Sequence, residues 1–372
     1  MNETVFQEKT GMALLYQNAS QAFLVGFHNK CIYTPDITPF LGASYSLATV
    51  LGLLGNVSLI CVICQQKKKA NVTHILIANL AFSDMLVCTF CLPITAVYTM
   101  MDYWVFGQGL CKISNFVQCA SVTVSALILV LIAFERHQLI LYPTGWRPTI
   151  PQAYAAVLLV WVLASLLTVP FVSFVVLTNV SHKNTSQFPD FLANKPLCME
   201  KWKSAHQKVA YTISLQLLQY IMPLCFILCC YLRISVHLRS RGALFKKNDS
   251  HMRRVNLMLA AMVGAFAACW LPLHIFNTIV DWHHKLISVC FHNLIFSLCH
   301  LLAMTSTCVN PVIYGVLNSN INQELNVLFQ KCTGRHGKRA VTLEEQNNSP
   351  LSLIQSAALL VSPVSCHEQA VC

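Results

Sequence analysis

The chain has 372 residues, 55% of them hydrophobic and 10% charged, where soluble globular domains carry about 25% charge. That composition excludes a soluble enzyme, a nucleic-acid-binding module and a disordered protein, and it places the chain in a membrane. The 25 Lys and Arg against 14 Asp and Glu give +11, which here marks loops on the cytoplasmic side of a bilayer rather than a nucleic-acid surface.

In chain order, residues 1–38 hold only short apolar runs such as Met12–Tyr16, too little for the hydrophobic core of a signal peptide. They are expected to form an extracellular segment, and the first span to direct insertion. Reading from charge to charge then gives seven stretches of membrane-spanning length: 37–66, 70–101, 113–134, 148–181, 209–232, 255–280 and 286–323. Each is apolar all round rather than alternating, so the expectation is helices, not barrel strands. The predicted fold is an all-α membrane protein, a seven-transmembrane helix bundle over 39–318. Beyond it, Ile321, Leu325, Leu328 and Phe329 recur at helical spacing. They predict a short amphipathic helix, 319–331, on the inner leaflet, with Cys332 at its end as a palmitoylation candidate or a free thiol. Residues 332–372 are polar and Ser-rich and read as a disordered cytoplasmic tail with hydroxyls for phosphorylation.

Orientation follows from the basic residues. With the N-terminus outside, 16 of the 25 Lys and Arg fall on the inner side, which favours N-out and C-in. The sequons at Asn2, Asn18, Asn179 and Asn184 would then face outside as glycosylation candidates, and those at Asn71 and Asn347 inside. Eleven of the 18 cysteines lie in the apolar runs, where thiols act as small hydrophobes, so no disulfide framework is expected.

Polar residues inside spans carry function by default. Asp84 lies in the middle of the second, and Asn56, Ser125 and Asn310 could join it in one hydrated cluster. Prolines at 93, 170, 223, 272 and 311 can kink five of the helices. Kinked helices around a polar core suit a two-state switch. Glu135-Arg136 closes the third span, as a helix-end charge pair or as a latch at the mouth of the bundle.

These features resemble the rhodopsin-like (class A) G-protein-coupled receptors over residues 40–331. The residues that carry the likeness are Gly55-Asn56, Leu80-Ala81-Phe82-Ser83-Asp84, Cys111, Glu135-Arg136-His137, Trp161, Pro223, Cys269-Trp270-Leu271-Pro272 and Asn310-Pro311-Val312-Ile313-Tyr314, in order on the seven spans. A narrower likeness is to the neuropeptide Y receptor family, carried by residues 96–104, 135–140, 143–146, 270–277, 281–284 and 299–304. Within it the pancreatic-polypeptide-preferring type-4 branch is most similar, with the type-6 branch as rival.

The resemblance implies a receptor for amidated peptide hormones of the pancreatic polypeptide family, ending in Arg-Xaa-Arg-Tyr-amide. Inhibitory heterotrimeric G proteins, which lower cyclic AMP, and arrestin on the phosphorylated tail would be the intracellular partners. It implies no enzyme activity and no cofactor beyond a sodium ion at Asp84 and Ser125, where Ser306 departs from the asparagine many sodium pockets carry. It assigns Asp281 to a ligand arginine. Gln118, Gln219, Asn277 and His300 would meet the amidated end, with Tyr98, Thr95, Thr212, Phe276 and Asp102 around it. Interhelical hydrogen bonding is the plainer role for Gln118, Gln219 and Asn277. Asp84, Glu135, Arg136, Trp270, Pro272, Asn310 and Tyr314 would form the activation switch. The base of the sixth span, 250–254, lacks the acid that holds the latch arginine in many relatives. Cys111 and Cys198 would be joined by a disulfide that pins the second outer loop; Cys31 and Cys290 are a second bridge or two free thiols. His283, His284 and His292 read as polar loop residues rather than a zinc site. The alternatives are a class A receptor for a different basic peptide and a seven-span transporter.

Overall fold

A computed structural model describes residues 37–65, 71–101, 103–179, 195–240, 246–282 and 289–317. Seven of its helices are long and apolar enough to cross a bilayer. In chain order α1 is Thr38–Gln65. The helix α2 runs Val72–Leu86, then a π-helical turn Val87–Cys91, then Leu92–Met101. Next come α3, Gly107–Leu141, and α4, Ile150–Phe174. The helix α5 is Ala205–Gln216, a π-turn Leu217–Ile221 and Met222–Ser240. Last are α6, Lys246–Trp282, and α7, Val289–Leu317. Helix α1 packs on α2 and α7, α5 on α6, and α6 on α7, while α3 runs through the bundle against α2, α4, α5 and α6.

Reading from charge to charge misjudged several ends, each for a physical reason. The 35 residues of α3 reach about 52 Å, well beyond a hydrocarbon core of about 30 Å. Charge is tolerated outside the core, so Lys112 and Glu135-Arg136 sit within the helix rather than at its ends. It continues past Glu135 to Leu141 and stops before Pro143. The fifth and sixth helices outrun the charge gaps for the same reason. The predicted span 148–181 is too long, because Val175–Asn179 is a strand, β1, paired antiparallel with β2, Pro196–Glu200. The fold is therefore all-α in its spans but carries a hairpin at one end. Valine and leucine in β1 mimic a membrane helix by composition, and what separates them is pairing to a distant segment.

The prolines act in two ways. Pro93 and Pro223 each follow a π-turn, whose wider ring relieves the clash between a proline and the carbonyl one turn back. Pro170, Pro272 and Pro311 lie inside α-helix. Close approach decides two glycines: a Cβ on Gly52 would meet Cys88 Sγ at 2.4 Å, and one on Gly55 would meet Pro311 Cβ at 2.9 Å. Small residues there let α1 lie against α2 and α7. The predicted amphipathic helix 319–331, Cys332 and the tail fall outside the described residues. So do Cys31, Asn2, Asn18, Asn184 and the side chains of Asn179 and Cys290.

Candidate functional site

The end of the bundle that carries the hairpin is built on one covalent bond. Cys111, in the second turn of α3, is joined to Cys198 in β2, with the two Cα atoms 5.8 Å apart. In the strand pair, Leu177 of β1 stands opposite Cys198. Buried Trp104, Cys111 and Val175 form a small core there, with Tyr98 and Phe106 against Trp104. Trp104 Nε1 donates to the carbonyl of Gly107 at 2.7 Å, and Gly107 has φ +73°, a left-handed backbone that favours glycine. Trp104 is thus part of that small core. Trp202 stacks on Phe174 at 4.2 Å and donates to Glu200 Oε2 at 2.7 Å.

At the rim, Asp281 near the end of α6 is shielded, its side chain 7% exposed, and Oδ1 lies 3.1 Å from Nζ of Lys208 on α5. The resemblance assigns Asp281 to a ligand arginine but gives no sign of Lys208, since a lysine before an apolar run reads as a span boundary. Asn277, half-buried, stands about one turn deeper. Buried Phe276 lies 5.1 Å from His292 and 5.8 Å from Phe296, ring to ring, and Phe296 stacks on His300 at 5.7 Å. His292 is accordingly a residue of α7 packed on α6, not a loop residue. His283, His284 and Asp102 lie outside the described residues.

Deeper still, three helices meet through one imidazole. Tyr45 Oη of α1 is 2.9 Å from His300 Nδ1 of α7, and Gln118 Nε2 of α3 is 2.9 Å from His300 Nε2. Gln118 and His300 are therefore hydrogen-bonded neighbours. Gln219 is placed differently. The π-turn of α5 turns it inward, where its Nε2 donates to Thr123 Oγ1 at 2.6 Å, so it ties α5 to α3. Thr95, Tyr98 and Thr212 are half-buried at this end.

In the middle, Asn310 Nδ2 donates to Asp84 Oδ2 at 2.8 Å. Asn56 Nδ2 donates to the Thr307 carbonyl at 2.9 Å, and Ser83 Oγ lies 3.1 Å from Ser125 Oγ. The cluster expected around Asp84 is thus a polar layer in which, among the described residues, only Asn310 bonds the carboxylate directly. Trp270 Nε1 donates to Ser306 Oγ at 3.2 Å, which couples the turn before Pro272 to α7. At the opposite end, Thr73 Oγ1 is 2.8 Å from each carboxylate oxygen of Glu135. Arg136 Nη2 donates to Thr73 Oγ1 and lies 3.5 Å from Glu135 Oε2. Arg136 Nε, Tyr231 Oη and Tyr314 Oη are buried without hydrogen-bond partners among the described residues. The base of α6 cannot be compared, because the side chains of 246–255 are not described.

Sequence reasoning missed Tyr45, Thr73 and Lys208. A signal existed for Tyr45: it and Asn56 are eleven residues apart, three helical turns, so they share a face of α1. Thr73 gives none, since a threonine near a span end is ordinary.

Residues 55–314 match the family described as "7 transmembrane receptor (rhodopsin family)". The chain is 52% identical to human neuropeptide Y receptor type 4-2 over 335 residues, 89% of this chain and 88% of that one. It is 49% identical to neuropeptide Y receptor type 4 of Rattus norvegicus over 317 residues, 84% of each. With neuropeptide Y receptor type 6 of Oryctolagus cuniculus it shares 44% over 296 residues, 78% of this chain and 80% of that one. The chain belongs to the rhodopsin family of seven-transmembrane receptors and, within it, to the neuropeptide Y receptors; it is not an enzyme.

Proposed function

We propose, from that membership, that the protein is a plasma-membrane receptor for C-terminally amidated peptides of the neuropeptide Y, peptide YY and pancreatic polypeptide group, with preference for pancreatic polypeptide. The observation that carries this reading is the shielded carboxylate of Asp281 at the rim, with the Gln118–His300 pair deeper on the same side. A shielded carboxylate takes a guanidinium in two-point contact. Neutral amide and imidazole groups suit an uncharged peptide terminus better than a carboxylate. Thr95, Tyr98, Thr212, Asn277 and Phe276 complete the wall in this reading, and Asp102 is a further acid assigned to the ligand. The greater identity to type-4 than to type-6 relatives supports the peptide preference.

In this reading the disulfide end faces outside and the Arg136 end the cytoplasm, which the distribution of basic residues supports. Peptide at the outer end favours an outward swing of α6 about Pro272. The Arg136 mouth then admits an inhibitory G protein, and cyclic AMP falls. Arrestin engages the phosphorylated tail, Cys332 carries palmitate, and Asn2, Asn18, Asn179 and Asn184 carry glycans. The polar layer fits a sodium ion: its donors are oxygens, and Asn56 Oδ1 and Ser121 Oγ are buried there without partners among the described residues. Asp84 and Ser125 would hold the ion, whose charge would favour the resting packing.

Arg136→Ala tests the coupling half. Peptide affinity should stay within about fivefold, because the substitution lies at the far end from the rim. Suppression of cyclic AMP by the peptide should fall severalfold at equal surface expression. A full response in that variant would remove Arg136 from the switch.

A further inference from the structure

We propose that Tyr45 is a positioning residue that sets which end of the Gln118 side-chain amide faces the pocket, and so selects a carboxamide over a carboxylate at the peptide's C-terminus. This rests on Gln118 being the group that meets the amidated end. Three contacts form one chain. Gln118 Nε2 and Tyr45 Oη each lie 2.9 Å from a ring nitrogen of His300, and Tyr45 Oη lies 3.2 Å from the carbonyl of Ser297.

Proton counting fixes the direction of this chain. An amide nitrogen only donates, so His300 Nε2 is the acceptor. The ring therefore carries its proton on Nδ1, and gives it to Tyr45 Oη. The single proton of Tyr45 is left for the Ser297 carbonyl. An imidazolium would set two donors against each other at Gln118, so the ring is neutral. Tyr45 is 1% exposed and His300 7%, so bulk water does not reach these groups.

The consequence falls on the oxygen of Gln118. With the nitrogen engaged by His300, Oε1 takes no hydrogen bond among the described residues and presents an acceptor. A carboxamide N–H donates to it; a carboxylate, which only accepts, is repelled. The reversed arrangement puts Oε1 against His300 Nε2–H and turns the nitrogen outward. Tyr45 must then spend its proton on Nδ1, and the bond to Ser297 is lost. Tyr45 thus favours the acceptor-out state. Without its hydroxyl, either arrangement leaves Nδ1 unpaired, and Gln118 loses its set orientation.

The test is competition binding at expressing cells with a peptide ending Arg-Xaa-Arg-Tyr-amide and with its free acid, read as the ratio of the two affinities. Tyr45→Phe should narrow that ratio about tenfold, the value of one hydrogen bond. A merely structural role would weaken both peptides alike and leave the ratio in place. Gln118→Met should narrow it as well. If Gln118→Met narrows the ratio while Tyr45→Phe leaves it within twofold of the parent, the role of Tyr45 is overturned and the pocket stands. If neither moves it, the pocket reading falls, and this inference with it. Should Tyr45→Phe fail to reach the surface, His300→Gln replaces it. That side chain both donates and accepts, so it no longer passes the direction on; an unchanged ratio there also overturns the proposal.

Discussion

Cys111→Ser and Cys198→Ser should each abolish high-affinity peptide binding at the cell surface. The bond they break spans 87 residues and is the covalent link between β2 and the second turn of α3. Hydrogen bonds also hold the hairpin: β1 pairs with β2, and the Trp104 amide donates to the Pro196 carbonyl at 2.7 Å. The strands therefore stay paired without the disulfide, but as a unit tethered less tightly to α3. Losing a native disulfide costs roughly 2–5 kcal/mol. Where that ordering must be supplied on binding, affinity falls about thirty- to several-thousand-fold. The double variant should bind no worse than either single one, because all three lack the same bond. Binding is measured against surface level through an N-terminal epitope tag. Parental affinity in either single variant would show that the hairpin does not need its anchor.

Asp281→Ala should cost more affinity than any other single substitution at the rim outside the disulfide. Truncating one partner of a shielded charge pair costs roughly 2–5 kcal/mol. Lys208 moves the expectation to the lower half of that range. In the free receptor Asp281 already has a cation at 3.1 Å, so a ligand arginine replaces one partner with another. The arginine gains because its planar fork takes two oxygens at once. The Lys208 side chain is 40% exposed, and a partner so solvated holds the pair by about 1 kcal/mol or less. Lys208→Gln should accordingly raise peptide affinity up to about fivefold, the opposite sign to Asp281→Ala. Peptides with each C-terminal arginine replaced in turn identify the partner. The Asp281→Ala receptor should lose little further affinity to the analogue that lacks it. Additive losses for every arginine would move the role to Glu200 or Asp102.

Much of this was legible in the chain. Seven spans follow from charge spacing, because a hydrocarbon core admits few charges. Asp84 and Asn310 follow from the cost of polar groups in that core, and they are in fact bonded. The extent of α3 was not legible, since nothing in the code stops a helix at the membrane surface, and Glu135-Arg136 looked terminal for that reason. The hairpin was hidden because β1 is as apolar as a span. Partners across the bundle were hidden too. Gln219 gives no sign in the sequence of Thr123, which the π-turn of α5 brings within hydrogen-bond reach. Tyr45 and Lys208 looked like an ordinary span residue and a boundary charge until α7 and α6 brought His300 and Asp281 to them.

The central claim is that the disulfide end of this bundle binds a basic, amidated peptide end. The most direct measurement is saturation binding of a radiolabelled peptide ending Arg-Xaa-Arg-Tyr-amide to cells expressing the full chain, with mock-transfected cells alongside. Saturable binding is expected, displaced by the unlabelled amide and far less well by the free acid, and reduced on Asp281→Ala. A receptor present at the surface that binds no more peptide than mock cells, or binds amide and free acid alike, would contradict it.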